Sequence, residues 1–281
     1  MTTTHMAESN AQAQRILKQQ DRNQRNFNLK VAGWWVVFFL FLVFLFSGVK
    51  IDIGPIHIKT ITMDQDFINE WAAFISGGVP QTLLISFLSI IFASILALVT
   101  ALARLSRFSP VYAAATFYTS LIRGTPLYLQ IFFFFLAWPQ LGFEPLPGFV
   151  AGVVALSLNY GAYMSEIFRA GISSVSKGQR ESALALGMTN GQMMRRIVLP
   201  QALRFVVPPT GNEFIAMLKD SSLVSATGFV QEIMWRATKV GRANFHGLEA
   251  LLIAALWYWA MTIIFTWLQS RLELRMSRGE R

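Results

Sequence analysis

The sequence predicts an all-α integral membrane protein with about six transmembrane helices. Of its 281 residues, 54% are hydrophobic and only 14% are charged, and the mean hydropathy is +0.46. Soluble chains carry about a quarter charged residues. Several uncharged runs are long enough to cross about 30 Å of hydrocarbon as helices, and Lys and Arg gather between those runs, as in multi-pass proteins. The expected surrounding of the chain is therefore a lipid bilayer.

The composition argues against several functions. The chain has no cysteine, which excludes disulfides, thiol nucleophiles and cysteine-ligated metals, and His5, His57 and His246 show no metal-ligand spacing. A G-x-x-x-x-G-K phosphate loop is absent. We therefore predict no enzyme activity, no cofactor and no metal site. The net charge of +9 is attributed to loops beside the membrane rather than to nucleic-acid binding.

The chain begins with a basic, glutamine- and asparagine-rich tail, residues 1–30, followed by an uncharged run, residues 31–49. This run is long enough to span the membrane. A cleaved signal peptide is the alternative, but the tail is too long and the run exceeds a usual signal h-region. Residues 50–79, with mixed charge, Gly54-Pro55 and a short amphipathic piece at 66–75, are predicted to form an external connection.

Residues 80–275 are predicted to form a core of five spans. The third of the six spans, residues 110–138, is interrupted by Arg123-Gly124-Thr125-Pro126. Because proline lacks a backbone N–H, we expect this span to be kinked or split. The other four core spans are predicted at residues 80–103, 148–167, 203–229 and 251–270, before a tail at 276–281.

The distribution of basic residues predicts the orientation. With six spans and the amino terminus inside, 17 of the 24 Lys and Arg residues fall in internal segments and five in external ones, while Arg123 and Lys219 lie within spans. The positive-inside rule then places both termini and residues 177–200 in the cytoplasm.

Residues 177–200 are polar and basic, although they lie between apolar spans. Gln179–Leu186 reads as two turns of helix, and Gly187 is placed to adopt a left-handed conformation just after them. Thr189 can cap a second helix, with Gln192 three residues later completing a capping box.

This second helix is predicted to end near Pro200, because proline disfavours helix continuation. Two short helices around a glycine corner would form a compact knob suited to being held by another protein. The alternative is a solvated loop whose spacing arises by chance.

The same segment resembles the EAA loop of ABC importer permeases. That family's pattern is E-A-A, three residues, G, nine residues and I-x-L-P, and only Ser182 departs from it, at the second position. The resemblance implies that residues 177–200, here called the coupling loop, dock in a cleft of a cytoplasmic ATPase subunit. The implied coupling residues are Glu181, Ser182, Ala183, Gly187, Arg195, Arg196, Leu199 and Pro200.

The fifth span carries Glu213, Lys219 and Asp220. Charged side chains facing lipid at mid-bilayer each cost a few kcal/mol, so these are predicted to face protein or a water-filled path. Glu213, Met217 and Asp220 share one helical stripe, and Asn212 lies on the adjacent one.

Pro208, Pro209 and Gly211 precede these residues, and we expect helical hydrogen bonding to be broken there. Two acids, one cation and freed backbone groups suit a zwitterionic substrate. The alternative for Lys219 and Asp220 is a structural pair. Arg123 is predicted to brace the split span or to meet an acid such as Glu166, rather than to bind substrate.

A second resemblance is to the polar-amino-acid branch of the same permeases. It rests on Arg123–Leu127 with Gln130, on Tyr160–Gly171, on Lys177–Gln179 and on Lys219–Ser225. It implies a five-helix type I importer core with one extra amino-terminal span, and a path lined by residues 212–222. The predicted pathway residues are Thr125, Tyr160, Asn212, Glu213, Met217, Lys219, Asp220, Ser221 and Ser222.

The resemblance implies a permease subunit that works by alternating access in a prokaryotic cytoplasmic membrane. Its implied partners are a cytoplasmic ATPase dimer, a second permease chain of the same or a homologous kind, and an extracytoplasmic amino-acid-binding protein. Two acids against one base in the fifth span favour cationic amino acids. The alternatives are a permease for another small solute, a secondary transporter using the intramembrane charges, and a membrane interaction protein that transports nothing.

Overall fold

The structure is a computed structural model. It describes the backbone of residues 2–53 and 56–277, and the side chains of residues 18–20, 22–50 and 60–276. The chain divides into two compact units, residues 1–65 and 66–281. Gly54-Pro55 and most of the predicted tail at 276–281 lie outside the described residues.

The first unit consists of a long helix and a hairpin. Helix α1, Thr2–Leu45, includes both the basic tail and most of the predicted first span. Gly48, at φ +71°, follows the helix, and its N–H donates to the carbonyl of Ile61. Strands β1, Lys50–Ile53, and β2, Ile56–Lys59, then pair antiparallel with Lys50 opposite Lys59.

The second unit has an outer layer of three helices: α2, Gln65–Ser76; α10, Ile233–Ala243; and α11, Gly247–Ser277. Helix α2 coincides with the predicted amphipathic piece. Its buried Phe67 and Ile75 pack with Ile233 of α10 and Ala254 of α11.

The main core forms around α6, Gly148–Ser174, which packs along α3, Val79–Arg104. Ala93, Ala97 and Ala101 are fully buried on α3. A Cβ on Gly161 of α6 would lie only 2.9 Å from the Cβ of Leu96. Small residues therefore allow these two helices to approach closely, as in other membrane helix pairs.

The third predicted span is split, which confirms that expectation. Helix α4, Ser109–Arg123, ends at Gly124, and Pro126 begins α5, Leu127–Phe132. The chain continues through a π-helical turn at Phe133–Ala137 and a 3₁₀ turn at Trp138–Leu141. The two halves of this span are bent by 105°.

The coupling loop forms α7, Lys177–Ala185, and α8, Asn190–Met193, and the chain then passes through a π-helical turn at Met194–Val198 into α9, Leu199–Asp220. The expectation that the helix ends near Pro200 is wrong. Pro200 closely follows the π-helical turn, and the backbone stays helical through Val198 into α9. A local π-helical adjustment of this kind accommodates the donor that proline lacks.

The expected interruption at Pro208 and Pro209 is also wrong, because α9 contains both residues. Each proline removes one helical donor, for the carbonyls of Arg204 and Phe205 four residues earlier. The carbonyl of Pro208 accepts a hydrogen bond from Gln269 of α11 at 3.1 Å, which ties this part of α9 to α11. Packing against α6 and α11 holds α9 in one piece. A 3₁₀ segment, Ser221–Thr227, follows it.

Among the described residues, three helices are long and apolar enough to cross a membrane, or four if the bent pair counts as one span. Helices α6 and α9, of 27 and 22 residues, are not among these helices. Much of α6 is enclosed by protein, so it needs no lipid-like surface. The number of six spans stays a prediction.

Candidate functional site

A polar cavity of about 510 Å³ lies between the α4–α5 break, the middle of α6 and the later part of α9. These three elements bring together residues far apart in sequence. The cavity is lined by Arg123, Gly124, Thr125, Pro126, Leu127, Asn159, Tyr160, Tyr163, Glu213 and Asp220. Four predicted pathway residues therefore share one cavity: Thr125, Tyr160, Glu213 and Asp220.

The two carboxylates of the cavity lie seven residues apart on α9, so they share one face. Asp220 is held in place, because its Oδ2 accepts a hydrogen bond from the buried hydroxyl of Tyr160 at 2.8 Å. Glu213 is partly buried, and no side chain among the described residues pairs with it. Its carboxylate is thus available to a ligand in the cavity.

The α4–α5 break is stabilised by Gln130, which is 5% exposed. Its amide nitrogen donates to the carbonyls of Ile122 and Thr125 and to the hydroxyl of Thr125, at 2.8, 3.1 and 2.9 Å. Its amide oxygen accepts from Asn159 of α6 at 3.1 Å. Gln130 therefore pairs with the carbonyl of Ile122, for which Pro126 has no N–H donor, and ties the break to the cavity wall.

The carboxylate of Glu166 on α6 binds three arginines that lie on three different helices. It accepts hydrogen bonds from Arg104 at the end of α3, from Arg123 at the end of α4 at 3.5 Å, and from Arg169 at 2.9 Å. The predicted contact between Arg123 and Glu166 is confirmed. The guanidinium of Arg123 also lies 5.2 Å from the ring centroid of Tyr163, so it forms one wall of the cavity while anchored outside it.

The other predicted pathway residues lie elsewhere. Asn212 faces α11 and accepts from Gln269 at 3.0 Å. Met217 is completely buried. The buried hydroxyl of Ser221 donates to the carbonyl of Leu218 at 2.8 Å.

Lys219 and Ser222 line a separate cavity of about 310 Å³ with residues of α10 and α11. Lys219 and Asp220 form no ion pair within the part of the chain that the structure describes, because consecutive helical residues point in different directions. Nothing in this arrangement brings Lys219 to the polar cavity.

The coupling loop has the predicted local structure. Gly187 has φ +80°, its N–H donates to the carbonyl of Leu184 at 2.9 Å, and that of Met188 donates to Ala183 at 3.1 Å. Thr189 and Gln192 form the capping box. The glycine corner thus closes α7 and starts α8.

Of the eight implied coupling residues, Ala183 is buried against the core and Leu199 is partly buried. Glu181, Ser182, Gly187, Arg195, Arg196 and Pro200 are exposed. Arg195 and Arg196 line a surface hollow of about 610 Å³ with Thr189, Gly191 and Gln192. The loop therefore presents a polar, basic surface on a firmly packed base.

Asn159, Tyr163 and Gln130 belong to the site, although the predicted pathway residues do not include them; Gln130 and Tyr163 enter the sequence analysis only as part of the family resemblance. Helix α6 is enclosed on most of its circumference, so hydrophobic periodicity does not show which of its faces lines a cavity. The signal that was present is the polar Asn159-Tyr160 pair in an otherwise apolar helix.

A split span, a polar cavity between helices and an exposed two-helix loop fit the transmembrane subunit of a binding-protein-dependent importer. Residues 89–278 match the family described as binding-protein-dependent transport system inner membrane component, and the chain belongs to this family. It is a permease subunit of a membrane transporter and not an enzyme.

Relatives and solved structures agree with this assignment. The chain is 42% identical over 208 residues to the arginine transport system permease protein ArtQ of Bacillus subtilis, covering 74% of this chain and 94% of that protein. It is 42% identical to the L-cystine transport system permease protein TcyB of the same organism, covering 73% and 87%. The putative glutamine transport system permease protein GlnP of Rickettsia felis is 34% identical, covering 72% and 93%.

Among solved structures, the crystal structure of an amino acid ABC transporter with histidines is 37% identical with a TM-score of 0.70, covering 76% of this chain and all of that one. The inward-facing MetNI methionine ABC transporter has a TM-score of 0.63 at 18% identity, covering 76% and 99%, and shows the fold alone. The type I importer fold is thereby confirmed.

Proposed function

We propose that this chain forms the substrate path of an ATP-driven amino-acid importer and that the path favours cationic amino acids. The observation that carries the proposal is that Glu213 and Asp220 line one polar cavity whose lining contains a single cation, Arg123. Relatives named for arginine, cystine and glutamine transport support an amino-acid substrate.

The charges of the cavity complement a cationic amino acid. Such a substrate carries an α-ammonium group, a side-chain cation and a carboxylate, which match two acids and one base. A neutral amino acid would leave one of the two carboxylates unpaired in a partly desolvated site, which costs free energy. The volume of about 510 Å³ falls in the usual range for small-molecule sites.

Each carboxylate has a distinct part in this proposal. Asp220 is fixed by Tyr160 and offers its remaining lone pairs in a defined direction. Glu213 has no partner among the described residues, so it supplies the second acceptor. Arg123 is held by Glu166 and Tyr163, but it also lines the cavity. We therefore assign it, against the prediction from the sequence, to the substrate carboxylate.

The two cavity-lining helices also lead to the coupling loop. Helix α6 ends at Ser174, three residues before α7 begins, and α9 follows directly after the loop. Glu213 lies fourteen residues after Leu199, or about 21 Å along the helix. Displacement of a docked loop would therefore move both walls of the cavity, which provides a route for alternating access.

The proposed assembly contains a cytoplasmic ATPase dimer docked at the coupling loop, a second permease chain and an extracytoplasmic amino-acid-binding protein. The concentration of basic residues in the segments on the loop side supports cytoplasmic termini in a prokaryotic inner membrane. The chain supplies the path, and the partner ATPase supplies the free energy.

The substrate class is tested by calorimetric titration of the purified permease–ATPase complex, without the binding protein, using arginine, glutamine and glutamate. One additional charge-assisted hydrogen bond contributes about 1.5–3 kcal/mol. We therefore expect arginine to bind roughly ten- to hundredfold more tightly than glutamine, and glutamate not to bind. Equal affinity for arginine and glutamine would contradict the cationic preference, and absence of binding by every amino acid would contradict the cavity assignment.

A further inference from the structure

The last turns of α11 carry an aromatic and cationic stripe that the transport function does not use. Trp267, Arg271 and Arg275 lie four residues apart and therefore share one face of the helix. The guanidinium of Arg271 lies 5.2 Å from the ring centroid of Trp267. These three residues line an open hollow of about 710 Å³ together with Leu268, Leu272 and Leu274.

This face is exposed over both its apolar and its cationic parts. Trp267 is 55% exposed and Leu274 is 58% exposed, and both arginines are exposed. Neither arginine forms an ion pair with any residue in the described ranges. The nearby acid, Glu273, is bonded instead by Gln269 at 3.0 Å.

Within the second unit, the stripe lies at the same end as the coupling loop. Lys219, near the end of α9, shares a cavity with Leu251 and Tyr258 of α11, while Gln269 contacts Pro208 near the middle of α9. The two helices are therefore antiparallel, and beyond Gln269 helix α11 runs beside the first turns of α9 after the loop.

The order of side chains along α11 matches the polarity profile of a membrane surface. The helix is apolar before the stripe, then presents an indole ring, and then two guanidinium groups. Tryptophan rings prefer the headgroup boundary, and arginine recognises phosphate oxygens with paired N–H donors. The half-exposed leucines beside the cations can pack against the acyl chains of a lipid. An acidic peptide has no acyl chains, so a lipid fits this face better.

We propose that the Trp267–Arg271–Arg275 stripe is a binding site for the phosphate headgroup of an anionic phospholipid in the leaflet on the coupling-loop side. The indole ring packs against the glycerol region, and both guanidinium groups contact the headgroup. The site ties the loop-side end of α11, and through Gln269 also α9, to the lipid composition of that leaflet.

The opposite end of the unit offers a matched control. Trp235, Lys239 and Arg242 follow one another at similar helical spacing on α10, and the ammonium of Lys239 lies 4.6 Å from the ring centroid of Trp235. There the indole N–H donates to the carbonyl of Gly228 at 2.8 Å. This second stripe has the same charges without the leucine-lined hollow.

The test titrates the delipidated permease–ATPase complex in detergent with phosphatidylglycerol and, separately, with phosphatidylcholine, and counts bound lipids by native mass spectrometry. Each basic residue near an anionic surface contributes roughly fivefold in affinity. We expect Arg271→Gln/Arg275→Gln to weaken phosphatidylglycerol binding about 25-fold and to leave phosphatidylcholine binding unchanged. Lys239→Gln/Arg242→Gln should keep the wild-type preference. Arg271→Lys/Arg275→Lys should lose less affinity than the glutamine variant, because it keeps the charges but not the paired donors.

Three results would overturn the lipid site. They are equal binding of the two lipids by the wild type, unchanged phosphatidylglycerol binding in Arg271→Gln/Arg275→Gln, and an equal loss in Lys239→Gln/Arg242→Gln. If the first variant instead lost the ATPase or the second permease chain with its lipid affinity intact, the face would be a protein interface and the proposal would be wrong.

Discussion

The glycine corner of the coupling loop provides the sharpest mutational prediction. Gly187 has φ +80°, and a Cβ built on it would meet nothing within 4 Å. The substitution Gly187→Ala therefore introduces no clash, and its whole cost is the left-handed backbone conformation, about 1–2 kcal/mol for a residue with a Cβ. Relief of this strain would weaken the hydrogen bonds from Gly187 to Leu184 and from Met188 to Ala183.

This cost falls on the loop rather than on the spans. We expect the native corner to lose roughly 5- to 30-fold in its equilibrium population, and the affinity for the ATPase subunit to fall by a similar factor. The assay measures expression, ATPase copurification and uptake together. Expression should stay near wild type, because the corner is exposed and the buried core around α6 is untouched.

Gly178→Ala is the matched control. Gly178 lies in the same loop, and a Cβ added there would also meet nothing within 4 Å, but its φ is not positive. An alanine there should leave ATPase affinity unchanged or slightly improve helix stability. Normal copurification and normal uptake in Gly187→Ala would refute the coupling role assigned to the corner.

Three further predictions concern other parts of the chain. A variant that lacks residues 1–49 and carries an added signal sequence for correct membrane insertion should still support uptake, because the family match begins at residue 89. Loss of uptake in a correctly inserted variant would place the first span in the core. Gln130→Ala should lower the melting temperature and uptake together by leaving the partly buried carbonyls of Ile122 and Thr125 without this donor, at about 1–3 kcal/mol, and an unchanged melting temperature would contradict the bracing role. Burial raises the pKa of Glu232, which caps α10, from 4.5 to about 7. The folded protein then binds this proton more tightly than the unfolded chain, so about 3 kcal/mol of stability is present below pH 4.5 and is lost as the pH rises through 7. The melting temperature of the wild type should fall over this range more than that of Glu232→Gln, and equal slopes would contradict the assignment.

The split span and the coupling loop could be predicted because their signals are local. Pro126 removes a donor within one turn of helix, and Gly187 with the Thr189–Gln192 capping box determines conformation over a few residues. The shared stripe of Glu213 and Asp220 follows from helical geometry alone. Such features depend little on packing partners.

The remaining features depend on tertiary contacts. Asn212 and Glu213 are adjacent in sequence, yet one contacts Gln269 and the other faces the cavity, and only the position of α11 decides between them. Gln269, 61 residues away, donates to the carbonyl of Pro208 and so ties the proline-containing part of α9 to α11. The hairpin at residues 50–59 is not predicted from the sequence, because its mixed charge indicates a connection more strongly than the short alternation in Lys50–Ile53 indicates a strand.

The most direct test of the claim that the cavity between α6 and α9 carries the substrate is uptake of arginine and glutamine by Glu213→Gln in proteoliposomes containing the complete transporter. The substitution keeps the shape and hydrogen-bonding capacity of the side chain but removes its charge. A charge-assisted hydrogen bond contributes about 1.5–3 kcal/mol, so we expect roughly ten- to hundredfold weaker arginine transport, a smaller loss for glutamine and unchanged assembly. Uptake of both amino acids at wild-type rates would place Glu213 outside the path and contradict the account.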